Sequence, residues 1–421
     1  MPHRSIAETL ASAQNVLLLG VGGGNDSITS LLLRAQLAAT AQFQPRRLQV
    51  AAMLPDVMRY SECRSLDGEA VVEITAESRR WIGKKPIKEF PEPILAAQRA
   101  EFGVDRVLGL SMAGGSNLLT RSLRDWIQRE QFDLVLACDV GGDFIATPSN
   151  FDVLSPMMDA YALSALRRLD GQLPGVDFLY GVFGLGTDGE STPLQLQAAL
   201  QRIEPYLEGK FDPATIAPIE DFYRRWVEPN RVSRTANFTL RSIHGEHIEP
   251  TLFRARFYTH PSASIERRYY GEFLHHFDPA FAGCYYLFDS LEGVANPFEK
   301  SCSSGLDWFL QIQGIGRAVN HELNGQSYRL TDSRESNPKT SLYFGTPSHR
   351  FATDVRREIM ADIAASIGNG VFDAALIYRS DASLADWSGL SVKPIDGTLA
   401  LVALPNRLRA AISQVESHRS R

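Results

Sequence analysis

Asn15-Val-Leu-Leu-Leu-Gly-Val-Gly-Gly-Gly-Asn-Asp-Ser27 reads as a buried strand, a glycine turn and a helix start. Val16 to Leu19 are too few for a helix and lack polar alternation, which is the mark of a central parallel strand buried on both faces. Gly20, Gly22, Gly23 and Gly24 then let the backbone turn sharply and let a ligand come close to it. Asn25, Asp26 or Ser27 can cap the helix that follows, whose apolar side is Ile28, Leu31, Leu32 and Ala35. The expectation is a ligand at that helix N-terminus, touched by Gly22, Gly23, Gly24, Asn25, Asp26 and Ser27.

The same design recurs downstream. A strand over 132–139 ends in Asp139-Val-Gly-Gly-Asp143, and a strand from 176 runs into Gly184, Gly186, Asp188, Gly189 and Glu190 before a helix expected over 193–207. Residues 48–54 form another strand-like run, and residues 107–117 pass through Gly114 and Gly115 into a helix over 118–129. There Gly114, Gly115 and Asn117 are either a tight turn capped by Ser116 or further ligand contacts. Strands alternating with helices predict an α/β domain over residues 1–215, with a Rossmann-like parallel sheet and glycine-acidic turns at the strand carboxyl ends. Past Pro218 the texture changes to a short helix over 219–227, strand-like runs at 237–243 and 251–258, and a stretch dense in Tyr and Phe up to Phe288. A helix over 350–367 and strands at 374–378 and 398–404 complete an aromatic-rich α/β or α+β second half, 216–421, packed on the first.

Bulk properties narrow the function. A chain of 421 residues exceeds what one core usually fills. The net charge of -6, with basic residues scattered, speaks against nucleic acid or an anionic membrane as partner. Cys63, Cys138, Cys284 and Cys302 lie far apart and read as reduced thiols of a cytoplasmic protein. Ser5 and Glu8 look like a capping box rather than part of a signal peptide, and no apolar run reaches the ~18 residues of a membrane span. A homo-oligomer, if formed, would use the aromatic-rich second half.

Taken together, Gly-Val-Gly-Gly-Gly-Asn-Asp, Asp139-Val-Gly-Gly-Asp143, Ser155-Pro-Met-Met-Asp159 and Gly186-Thr-Asp-Gly-Glu190 resemble the family catalogued as domain of unknown function 1152. The resemblance covers about residues 10–210, with Asn25 where that family would have another glycine. It implies a fold and a site, with no reaction attached.

If the glycine turns lie side by side, Asp26, Asp139, Asp143, Asp188 and Glu190 converge on one crevice. Several close carboxylates cannot all stay ionised without a counter-charge, because each raises the next one's pKa. Mg²⁺ or Mn²⁺ held by Asp26, Asp139 and Asp143 would supply that charge and would bridge to a phosphate near Gly141, Gly142 and Gly186. Each acid taken singly also has a plain use as a helix cap, and Asp159, early in its helix, reads simply as favouring the helix dipole.

Asp139, Asp143, Asp188, Glu190 and His349 are the candidates for moving protons, with Arg350 to hold a carboxylate or phosphate. NAD(P) is disfavoured: the pattern is G-x-G-G-G-N, and Asp56 lies too far on to meet a ribose. No Gly-Lys-Ser/Thr follows the turn, so it is not a P-loop. His244-Gly-Glu-His247 has a spacing that could suit a metal but not on a helix, and Cys138, beside Asp139, is a poor thiolate.

The expected function is an enzyme, a hydrolase or transferase, acting on a small phosphorylated or nucleotide-like substrate with a divalent metal. Two alternatives stay open: a non-catalytic nucleotide-binding or regulatory module, and a metal-free enzyme acting on an amino or guanidino compound.

Overall fold

A computed structural model describes residues 4–22, 25–54, 59–67, 70–82, 85–86, 91–111, 115–147, 156–189, 191–230, 234–247, 251–258, 268–275, 277–296, 299, 327–329, 341–345, 357, 360–361, 364–365, 367–368, 374–379, 382–394 and 399–409. The fold is mixed α/β around a nine-stranded, mostly parallel sheet. Its parallel strands are β1 (Asn15–Gly20), β2 (Arg47–Leu54), β3 (Arg106–Ser111), β4 (Leu134–Val140) and β5 (Asp177–Phe183). They stand in the order β5-β4-β1-β2-β3. Antiparallel strands extend both edges, Val71–Ile74 and Arg64–Asp67 beyond β3, Cys284–Phe288 and Leu207–Lys210 beyond β5.

Period-2 alternation sends alternate residues of each strand into two cores. Leu17, Leu19, Val135, Ala137 and Val182 join one, together with the helices α2 (Gly115–Glu130), α3 (Pro156–Leu169) and α4 (Pro193–Ile203). Val16, Leu18, Leu134, Leu136 and Leu179 join the other, with α1 (Asp26–Thr40) and the helix Pro213–Phe222. Burial on both faces is why β1 is an unbroken apolar run, and each fully buried leucine contributes about 2 kcal/mol.

The second half is not a separate layer. Cys284–Phe288 pairs with β5 inside the large sheet, so the sheet crosses the expected boundary at 215/216. Ala374, Leu401 and Ala403, from a mixed five-stranded sheet, share the core of α2 and α3.

Local expectations differ from the structure in three places, the first being the short helix read over 219–227, which begins at Pro213 and passes into a π-helical turn over Tyr223–Val227. Residues 237–243, read as a strand, lie in the helix Arg234–Ile243, because buried Ala236, Leu240 and Ile243 recur at helical spacing. The helix expected over 193–207 stops at Ile203, where Glu204-Pro205 turns the chain out toward the strand Leu207–Lys210. Ser5 and Glu8 do form a capping box, and Cys63, Cys138 and Cys284 are free thiols, Cys302 lying outside the described residues. No helix among the described residues is long and apolar enough to cross a membrane.

Candidate functional site

Strand order reverses between β1 and β4, so the connections leaving their carboxyl ends diverge, the arrangement at which open α/β sheets place a ligand crevice. Gly20 stands level with Cys138, and the Val21 N–H donates to the Cys138 carbonyl at 2.9 Å, which brings the turn after β1 beside Asp139. Asp26 opens α1, Asp139 is the penultimate residue of β4, and Asp159 sits in the first turn of α3. One carboxylate oxygen from each lies within 4.8 Å of the other two, and all three residues are buried.

Gly22 holds this group together. Its N–H donates to Asp26 Oδ2 at 3.0 Å. A Cβ on Gly22 would stand 2.5 Å from that oxygen and 3.1 and 3.3 Å from the two oxygens of Asp159. The missing side chain is thus the space the carboxylates occupy. Across the crevice, the Phe144 N–H donates to Asp139 Oδ2 at 3.2 Å.

Burial pushes the Asp26 carboxyl well above the usual range, and the charge of Asp139 pushes it further, against the opposing N–H groups of Gly22 and Val140. Asp139 is pushed up to about 7, by burial first and then by Asp188, with N–H groups of Phe144, Gly142 and Val140 opposing. A helix N-terminus stabilises an acid by at most about 2 kcal/mol, and here desolvation outweighs it. The Cys138 thiol is also pushed well up, by burial and then by Asp26 and Asp139, so it is no thiolate nucleophile.

Residues 17–214 match the model of the family described as "Protein of unknown function (DUF1152)". Over those residues the chain is similar to that family. No curated protein and no solved structure matches the chain. All five parallel strands except the first two residues of β1 lie within the DUF1152 match, as do Asp26, Asp139 and Asp159.

Within the DUF1152 domain the other expected residues separate into groups. Gly141 and Gly142 turn the chain after β4 with φ of 128° and 119°, and Asp188 packs where a Cβ of Gly141 would be. The Gly141 N–H donates to Phe183 and the Gly186 N–H to Gly141, so the turns after β4 and β5 are stitched together. Asp143 is buried on the same turn but is not one of the three clustered carboxylates, where Asp159 stands instead.

Asn25 holds the N-cap position of α1 without making a cap bond, and its Nδ2 donates to the Tyr223 hydroxyl at 3.4 Å. Ser27 Oγ donates to buried Glu92 at 2.7 Å. Gly115 opens α2, while Asn117 is exposed and accepts from Arg168. Gly23, Gly24, Gly114, Glu190, His349 and Arg350 lie outside the described residues. His244 meets Glu220, Nε2 to Oε2, at 2.7 Å.

Two buried acids escaped the sequence reading as site residues. Asp159 had a signal: it interrupts Met157-Met158-Asp159-Ala160-Tyr161-Ala162-Leu163, which is apolar all round and leaves the acid no solvent face. Glu92, between Pro91 and Pro93, had none.

Proposed function

We propose that the domain is a Rossmann-like enzyme that binds a divalent cation, Mg²⁺ or Mn²⁺, through Asp26, Asp139 and Asp159. The cation would position a small phosphorylated or nucleotide-like substrate at the glycine turns, for hydrolysis or group transfer at phosphorus. The observation that carries this reading is the convergence of three buried carboxylates from three different elements. Buried charges are tolerated when paired or bound to metal, and three acids with no cation would have to hold protons instead. Oxygens on opposite sides of one ion lie ~4.2 Å apart for Mg²⁺ and ~5 Å for Ca²⁺. Three ligands of one octahedral ion include neighbours only ~3 Å apart, so the three oxygens, within 4.8 Å of one another in the metal-free protein, would draw together on binding.

In this reading the cation neutralises the carboxylates and polarises a phosphoryl oxygen when bound. In the metal-free protein Asp139 is poised near neutral pH, so cation binding would displace its proton. The free thiols and the lack of a membrane-length helix among the described residues fit a cytoplasmic enzyme.

The test is a thermal melt with Mg²⁺, Mn²⁺ or neither, each with and without nucleotides, followed by release of inorganic phosphate. A rise in melting temperature with the metal, further increased by nucleotide and accompanied by turnover, is the expected result. No response to millimolar metal would end the metal reading. Saturation without turnover would favour a binding module, and stabilisation only by a cationic metabolite a metal-free enzyme.

A further inference from the structure

A segment outside the family match reaches into the site. Beyond the strand Cys284–Phe288, which pairs with β5, the described residues of the chain are fastened to the matched region at three points. Gly293, with φ of 88°, packs directly on the Arg202 carbonyl at the end of α4, where no side chain would fit. The Arg167 guanidinium on α3 grips Glu299 with two bonds, Nε to Oε1 at 2.6 Å and Nη2 to Oε2 at 3.0 Å. The same guanidinium donates to the carbonyls of Leu291 at 2.9 Å and Val294 at 3.0 Å. Finally, buried Asn296 donates through Nδ2 to the Asp143 carbonyl at 3.0 Å and the Phe144 carbonyl at 3.5 Å.

These fastenings join the two bodies whose separation matters. Asn296 holds the peptide groups of the turn whose Phe144 N–H in turn holds Asp139. Arg167 follows Asp159 on the same helix about two turns on, and a helix transmits position rigidly over that length. α3 also packs in the same core as β4, and this segment adds polar fastenings to that apolar contact.

We propose that residues 291–296 and Glu299 act as a strap that fixes Asp159 against Asp139, with Asn296 and Arg167 as positioning residues that set the affinity for a divalent cation. The inference rests on the metal reading above and adds that the second half tunes the site. Neither residue touches the cation: each acts through a carboxylate.

The test is calorimetric titration of the full chain with Mn²⁺ alone, wild type beside Asn296→Ala, Arg167→Lys and Leu10→Ala, with the melting temperature of each metal-free protein measured in parallel. Arg167→Lys keeps the charge and loses the fork. Leu10, fully buried in the helix Ile6–Ser12 before β1, serves as a destabilised control at the opposite end of that strand. Removing partners that orient metal ligands typically weakens binding 10–100-fold. That loss is expected in both strap variants, with wild-type affinity in Leu10→Ala. Unchanged affinity in the strap variants, or an equal loss in Leu10→Ala, overturns the strap. A wild type that binds no Mn²⁺ overturns the metal reading itself.

Discussion

The turn after β1 and the turn after β4 are both glycine-rich and both end in an acid, yet their glycines serve opposite ends. At Gly22 the space left by the absent side chain is filled by the carboxylates of Asp26 and Asp159. At Gly142 it is filled by the Leu196 side chain of α4, on a backbone with φ of 119°. One glycine admits charge and the other admits a core leucine. Glycine content alone therefore does not mark a ligand loop; what fills the vacated space does.

The contrast can be broken by substitution. Gly142→Ala should have the largest effect, because it combines a disfavoured backbone with overpacking against Leu196. A stability loss on the order of 3 kcal/mol is expected in denaturant unfolding. An intact midpoint would show that the turn relaxes freely. Next comes Asp139→Asn, expected to weaken Mn²⁺ roughly 100-fold, ~2.7 kcal/mol, in calorimetry, while the metal-free protein at pH 8 melts no lower than wild type because a repelling buried charge is gone. A marked fall in that melting temperature would recast the acid as structural. Gly22→Ala should crowd the carboxylates and cost about 10-fold in Mn²⁺ affinity, ~1.4 kcal/mol, and wild-type binding would separate Gly22 from the site.

The smallest effect is a pH slope. The folded pKa of Asp139 lies above the unfolded value near 3.8, at about 7. The stability this carboxyl contributes is therefore fully present below pH ~4 and lost as pH rises through about 7. The shift of Asp26 has the same sign. Melting temperatures of the metal-free protein should fall by a few degrees across that window, and saturating Mn²⁺ should reverse the trend by displacing the protons. A melting temperature flat from pH 4 to 8 would mean that the carboxyls are solvated.

The contrast also shows what a sequence discloses. β1, β4 and β5 were legible because strands buried on both faces leave continuous apolar runs, and Asp26 and Asp139 stood out because one lies past the glycine turn after β1 and the other at the end of β4. Asp159 was read as a helix-dipole residue because position in the first turn is a sufficient local reason for an acid, and only its apolar surroundings argue otherwise. Asp143 was favoured over it as a ligand by proximity along the chain, whereas the crevice is assembled across α3. The helix Arg234–Ile243 was misread because Phe238 and Thr239 have strand propensity, which the helical spacing of its buried residues overrides. The strap was beyond reach, since nothing local links Asn296 to a carbonyl 153 residues earlier.

The pairing of Cys284–Phe288 with β5 bears on how this protein can be cut. A fragment ending at residue 214, where the family match ends, would lose that strand, and Leu207–Lys210 would lose the one sheet neighbour it has among the described residues. β5 would become a bare edge carrying Phe178, Leu179, Tyr180 and Phe183, the kind of edge that recruits other chains. The stretch that matches the family is therefore not closed as a sheet by itself, and a fragment that keeps this edge covered has to extend beyond Phe288.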